Sequence, residues 1–415
     1  MKPISATEAV KAIEAGTFTS EKLVQSCLDR IAERDPVVKA WVHLDPALAL
    51  AQARAADKAT GGLLRGVPIG VKDIIDTHDM PTGHNSPIFE GTRPFGDAAC
   101  VALCRNANGV IMGKTVTTEF ANRHAGPTGN PHNAAHTPGG SSSGSAAAVA
   151  DGHVPLAFGT QTGGSVIRPA AYCGIIGYKP TFGDFSRVGI KMQCHSVDTL
   201  GLMARTLDDI ALFRGAVLAL PPVAIDRDVS APRVGFCRTP IWSDAEPDTQ
   251  ALLEKMAARL GAKEVAFAPE FRNILDDHGA ITGWESLRNY ADERLRNPDK
   301  VSAELMAVLK KADGITFDRY VAAQRKTVAF KAHIDSLFDD VDVLICPSAP
   351  GEAPKGHDFT GDPRFNSIWT LAGTPCVTLP LGAGDQGLPL GVQLVGLRHA
   401  DDTLLSIAQW VLSHA

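Results

Sequence analysis

The 415-residue chain contains no run of 18 apolar residues, so its sequence offers no candidate membrane-spanning helix. Its opening residues, Met1-Lys2-Pro3-Ile4-Ser5, lack the apolar stretch of a secretory leader, and a cytoplasmic location is expected. No cluster of Lys and Arg stands out, and 40 basic against 46 acidic residues leave a net charge of −6. A dedicated binder of nucleic acid or anionic membrane concentrates basic surface, so neither is expected as a partner. Eight cysteines are scattered without a Cys-x-x-Cys or a dense framework, and they read as reduced, mostly buried thiols. Internal repeats and low-complexity linkers are also missing. One large domain over 1–415 is therefore expected rather than separable modules.

What is present is enough apolar side chain to build a core, 44% of the residues, with 21% charged. Glycine (39) and proline (27) imply many tight turns. Residues 1–60 read as a helical N-terminal segment, with Leu23, Cys27 and Ile31 at helical spacing. From about 61 to 220 the chain is rich in Gly, Pro, Ser and Thr, with β-like pieces at 109–112 and 154–158 and a helix at 206–220. Residues 231–338 read as an α/β and helical elaboration, mostly helical over 282–338. Residues 339–415 return to the core through strands at 341–346, 376–379 and 391–395 and a closing helix at 401–413. Strands alternating with helices give an α/β class with a mixed central sheet flanked by helices.

Three segments hold residue types that their surroundings do not favour. Lys72 lies in Gly66-Val67-Pro68-Ile69-Gly70-Val71-Lys72-Asp73, an apolar stretch. A buried lysine is either paired, here with Asp73 or a distant acid, or functional, because desolvation lowers its pKa and yields a neutral base. The second segment, Thr137-Pro138-Gly139-Gly140-Ser141-Ser142-Ser143-Gly144-Ser145, precedes an alanine-rich helix, where serines often serve only as caps. The third is Phe158-Gly159-Thr160-Gln161-Thr162-Gly163-Gly164-Ser165-Val166-Ile167-Arg168. A strand running into two glycines can aim successive N–H groups at one point, as an oxyanion hole requires. Arg168, in an apolar stretch, calls for a planar anion, either a structural carboxylate or one on a substrate.

Other patterns fail on context. Gly140-Ser141-Ser142-Ser143-Gly144 spells a nucleophile elbow, but no strand precedes it. Gly109–Thr115 is one residue short of a phosphate loop. His132 and His136 lack the glutamate of a zinc-protease helix, and no metal site is assigned.

Taken together, the Gly-Val-Pro-Ile-Gly-Val-Lys-Asp string, the Gly-Gly-Ser-Ser loop and the Gly-Gly-Ser turn resemble the amidase signature family. Ser141 follows Lys72 by 69 residues and precedes Ser165 by 24, in keeping with that family. Lys179-Pro180-Thr181, Gly373-Thr374-Pro375 and Gly387-Leu388-Pro389-Leu390-Gly391 extend the likeness across nearly the whole chain. The resemblance implies an amidase-signature fold and a serine amidase that needs no cofactor. It implies Ser165 as nucleophile, Ser141 as a bridging hydroxyl after a cis peptide bond, and Lys72 as terminal base. The N–H groups of Thr162, Gly163, Gly164 and Ser165 are then the oxyanion donors. Within the family the chain looks most like the bacterial malonamidases, where the arginine matching Arg168 holds a substrate carboxylate. A small-molecule amide, malonamate-like, is the expected substrate, and a homodimer is a family-level expectation. The alternatives are a neutral, urea-derived or carbamoyl amide, or the A-type component of a glutamine-dependent amidotransferase. Gln161, where many members have Asp, and Arg168, three residues after Ser165 rather than two, speak against the amidotransferase. The acyl pocket is expected to draw on 282–338 and 365–369.

Overall fold

The computed structural model describes residues 3–415. Among them are strands β1 (Trp41–Leu44), β2 (Pro68–Lys72), β3 (Val110–Thr115), β4 (Leu156–Gln161), β5 (Ile176–Lys179) and β6 (Thr199–Ala204). Then come β7 (Val234–Cys237), β8 (Lys263–Val265), β9 (Val343–Pro347), β10 (Cys376–Ala383) and β11 (Pro389–Val395). All eleven join one sheet in the order β1-β3-β2-β4-β6-β5-β10-β11-β9-β7-β8. Pairing is parallel through β3, β2 and β4 and again through β9, β7 and β8, and antiparallel elsewhere. The mixed α/β class expected from the strand and helix pattern is the class found.

Central strands covered on both faces lose the in–out alternation of a half-buried strand. In β2 and β4 every residue is buried. Both strands point their C-terminal ends at the same region, because they run parallel with Ile69 beside Leu156. That places the Lys72 end of β2 next to the Gln161 end of β4.

The N-terminal stretch departs from the all-helical reading. Helices Ala6–Glu14, Ser20–Val38 and Pro46–Lys58 form, but β1 sits between the last two. Lys39 takes a left-handed conformation (φ 55°) and ends the second helix. The Trp-Val-His-Leu tetrapeptide then pairs antiparallel with β3 at the sheet edge. Four residues carry too little periodicity to reveal a strand whose partner lies some 70 positions away. The helical elaboration comprises Ile274–Asn289, Ala291–Arg296, Ala303–Ala312 and Phe317–Leu337, beginning earlier than the pattern predicted. Beneath it lies a separate apolar cluster with Phe271, Phe330, Ile334 and Trp369. Among the described residues, no helix is long and apolar enough to cross a membrane.

Helix Ser143–Ala150, Ser-Gly-Ser-Ala-Ala-Ala-Val-Ala, packs on β4 with its first seven residues buried. Small side chains let its backbone approach the sheet. A Cβ at Gly144 would stand 2.2 Å from the Ala40 carbonyl oxygen and 2.4 Å from the Val116 nitrogen. Both are backbone atoms and cannot rotate away. Gly144→Ala should therefore destabilise the fold by about 3 kcal/mol, the upper range for overpacking. Denaturant unfolding measures this, and an unchanged midpoint would refute the close approach.

Candidate active site

Lys72, at the end of β2, has no exposed surface. Its Nζ lies 2.7 Å from Ser141 Oγ, 2.8 Å from Thr160 Oγ1 and 3.5 Å from the Thr160 carbonyl oxygen. Asp73, the obvious acid in sequence, is not its partner. Successive side chains of a strand point to opposite faces, and Asp73 pairs instead with the buried Lys114 of β3 at 3.3 Å. Burial without an ion pair drives the Lys72 pKa well below its ordinary value, and the charge of Asp198 opposes this only in part.

The serine run divides by partner. Ser143 Oγ donates to the Gly139 carbonyl at 2.7 Å, and Ser145 Oγ donates to the Phe158 carbonyl at 2.7 Å. Ser142 Oγ donates to the Thr160 carbonyl at 3.4 Å and accepts from the Thr160 amide at 3.3 Å. These three hydroxyls fasten the loop to its own helix and to β4. Ser141 alone faces Lys72. The Gly140–Ser141 peptide bond is cis, as the resemblance implied. Arg168 Nη2 donates to the Gly140 carbonyl at 2.5 Å, and the Thr118 amide donates to the Ser141 carbonyl at 3.2 Å.

Beyond β4 the chain turns through Thr162, Gly163, Gly164 and Ser165 into helix Ile167–Tyr172. Gln161 Oε1 accepts from the amides of Val166 (2.8 Å) and Ile167 (3.0 Å), which occupies the first donors of that helix. The amides of Thr162, Gly163, Gly164 and Ser165 find no acceptor among the described residues. Ser165 is partly exposed, and among the described residues its hydroxyl has no partner either. The structure thus brings Lys72 and Ser141 into hydrogen-bond contact, and leaves Ser165 unbonded to Ser141. At Gly164 a Cβ would lie 2.3 Å from Asn366 Oδ1 and 3.2 Å from Arg168 Nη1, so only glycine fits without displacing them.

Arg168 is buried, and its hydrogen bonds among the described residues go to carbonyl and hydroxyl oxygens rather than to a carboxylate. Besides Gly140, it donates from Nε to the Thr360 carbonyl at 2.8 Å, while Nη1 has no partner among the described residues. Desolvation lowers its pKa to about 10. Its Nη1 group, buried next to the glycine turn, is therefore part of a charged guanidinium and without a partner among the described residues.

Further residues complete the site. Thr160 is the second partner of Lys72. Asp198 accepts from Thr162 Oγ1 at 2.5 Å and from the amides of Gln193 (2.7 Å) and Cys194 (2.8 Å). Burial raises the Asp198 pKa to about 6, against the pull of those donors. Asp198 ties the turn to the loop carrying Lys191, Met192 and Gln193, which with Thr160 and Thr162 line a small cavity beside the Lys72 end. His278 of helix Ile274–Asn289 reaches the Thr162 carbonyl. Thr370, Asn366 and Ser367 of helix Arg364–Ala372 lie against Gly163 and Gly164. Thr160 lies within the segment that runs into the double glycine, and Asn366 and Ser367 fall in the 365–369 stretch expected to line the acyl pocket, whereas Asp198, His278 and Thr370 come from parts of the chain that no local motif marks. His132 Nε2 meets the Cys173 carbonyl at 2.9 Å and His136 Nδ1 the Ala353 carbonyl at 2.7 Å, so neither ring faces the other.

The chain is similar to known proteins over nearly its whole length. A family model described as Amidase matches residues 22–405. The A-type component of the glutamyl-tRNA(Gln) amidotransferase of Lysinibacillus sphaericus is 33% identical, over 97% of this chain and 95% of its own. Its counterpart in Thermobifida fusca is 34% identical, over 96% and 93%. These relatives are amidotransferase components rather than the malonamidases that the motifs suggested. Among solved structures, the peptide amidase of Stenotrophomonas maltophilia superposes with a TM-score of 0.85 at 28% identity, covering 99% of this chain and 97% of that one. A chain of a vestigial protein complex bearing on the origins of an s-triazine catabolic enzyme superposes with a TM-score of 0.92 at 27% identity, covering 99% and 98%.

Proposed function

This chain belongs to the amidase family and is an enzyme acting on amide C–N bonds; on that premise we propose that it works through Ser165, Ser141 and Lys72 on a small amide bearing a carboxylate. The observation that carries the reading is the buried Lys72 amine, free of any acid partner and 2.7 Å from Ser141 Oγ.

A neutral Lys72 takes the Ser141 proton as Ser141 takes that of Ser165. Ser165 Oγ attacks the amide carbon, and the carbonyl oxygen gains charge against the open N–H groups of the turn. Collapse breaks the C–N bond, and the proton returns through Ser141 to the leaving ammonia. Water then repeats the relay and releases the acid from the acyl-enzyme. The Ser165–Ser141 contact is missing in the free chain, and such contacts tighten when substrate seats.

Arg168 supports the carboxylate part of the reading. Its unpaired Nη1 beside Gly164 offers a charge-assisted bond to an anionic group attached to the acyl carbon. Arg168→Ala also frees the Gly140 carbonyl, so every substrate should suffer. The amide with a carboxylate should lose about 10- to 100-fold more in kcat/KM than a neutral amide of like size. Equal losses would leave Arg168 as a brace for the Gly140–Ser141 peptide alone.

Which amide is used divides the reading. Malonamate rests on the motif resemblance and on Arg168. The full-length likeness to the A-type components of amidotransferases favours glutamine, itself a carboxylate-bearing amide, with ammonia handed to a partner protein. On that reading the tRNA of those relatives' name enters too, against the expectation of a small-molecule partner only. Ammonia release over glutamine, malonamate, carbamoyl compounds and a neutral amide separates the two. Turnover of malonamate by the lone chain sinks the amidotransferase reading, and turnover of glutamine only beside a partner sinks the free-standing amidase.

A further inference from the structure

Each peptide unit of the turn after β4 is held from behind. The Thr162 carbonyl accepts from His278 Nε2–H at 3.0 Å, the Gly163 carbonyl from the Thr370 hydroxyl at 2.7 Å, and the Gly164 carbonyl from the Arg168 amide at 2.9 Å. A trans peptide is planar, so its C=O and the following N–H point in opposite directions. Fixing three carbonyls therefore aims the N–H groups of Gly163, Gly164 and Ser165, which are among those left without acceptors. Glycine has no side chain to lock its backbone, and here orientation depends on these bonds.

The anchors differ in origin. Arg168 belongs to the short helix that continues the turn, and Thr370 to helix Arg364–Ala372. His278 comes from the helical elaboration, 116 residues along the chain from Thr162. Burial lowers its pKa, so the ring is neutral at pH 7. A carbonyl oxygen only accepts, which requires the proton on Nε2.

We infer that His278 is a positioning residue for the oxyanion hole: by holding the Thr162 carbonyl it directs the Gly163 N–H toward the tetrahedral oxygen. The inference rests on Ser165 being the nucleophile. It gives the 274–337 elaboration a part in setting the rate of acylation.

The test uses the full chain and an alkyl fluorophosphonate, because its reaction needs no knowledge of the natural amide. The Ser165 Oγ–P bond forms as the P–F bond breaks, fluoride leaves, and the hydroxyl proton passes through Ser141 to Lys72. The phosphoryl oxygen takes the oxyanion position. Removing one oxyanion donor costs about 10²- to 10³-fold, and a misdirected donor should forfeit part of that. His278→Ala should slow the inactivation step about 10- to 100-fold, with probe affinity and melting temperature nearly unchanged. His278→Gln, whose amide N–H reaches the same carbonyl, should recover most of the rate. Equal inactivation rates in all three chains, or a loss that glutamine fails to recover, overturns the inference while the label on Ser165 stands. A wild-type chain that takes no label, or takes it elsewhere, overturns the Ser165 reading, and this inference falls with it.

Discussion

Ser165→Ala should lower amide turnover about 10⁶-fold and abolish covalent labelling by a fluorophosphonate, the scale seen when a serine hydrolase loses its nucleophile. The structure gives the reason. Ser165 stands partly exposed at the end of a turn whose four backbone amides are open, and among the described residues its hydroxyl is bonded to nothing. Removing an oxygen that makes no internal bond should leave folding intact, so lost activity cannot be ascribed to lost structure. Intact-mass analysis and a melting curve on the same preparation check both halves. A variant that still forms the adduct would move the nucleophile elsewhere, and the serines that follow Ser141 are poor substitutes, since Ser142, Ser143 and Ser145 are committed to backbone carbonyls.

Lys72→Met should be equally silent in turnover, by about 10⁴-fold or more, yet as stable as the natural chain or more so at neutral pH. The sign follows from linkage. The folded pKa of Lys72 lies well below 10.5, so between the two values the unfolded chain holds a proton that the folded chain does not. Stability of the natural chain therefore rises with pH across that window. Methionine has no such proton, so its stability advantage is largest at the low end and narrows as pH climbs toward 10.5. Melting temperatures of both chains from pH 6 to 10 measure the gap. A constant gap would mean that Lys72 is charged in the fold, and the relay would lose its base. The activity profile should agree: kcat/KM should rise through the same lowered ionisation and level off well below pH 10.5.

Together these two results define the cost of the site. A buried amine with only hydroxyls and a carbonyl as neighbours opposes folding, and the protein keeps it because the uncharged form is what can accept a proton.

How much of this could be read from the residues alone varies with the range of the interaction involved. The α/β class was legible because strand and helix periodicities are local. The short edge strand β1 was not, since its four residues are strand only by virtue of pairing with β3. Lys72, Ser141 and Ser165 stood out through the motifs around them. What separated Ser141 from three neighbouring serines was direction, which the local sequence does not encode.

The sequence by itself determined which chemical groups were available: a lysine in an apolar strand, a serine-rich loop, a double-glycine turn and an arginine with no acid nearby in the chain. Only the tertiary structure decided that Asp73 would turn to Lys114 and leave Lys72 without an acid partner, that Arg168 would hold two peptide carbonyls with Nη1 left over, and that His278 would reach the oxyanion turn. The physical reason is that composition and spacing fix charge and hydrogen-bonding capacity residue by residue. Pairing, burial and orientation, in contrast, depend on which distant segments the sheet brings within about 3 Å of one another.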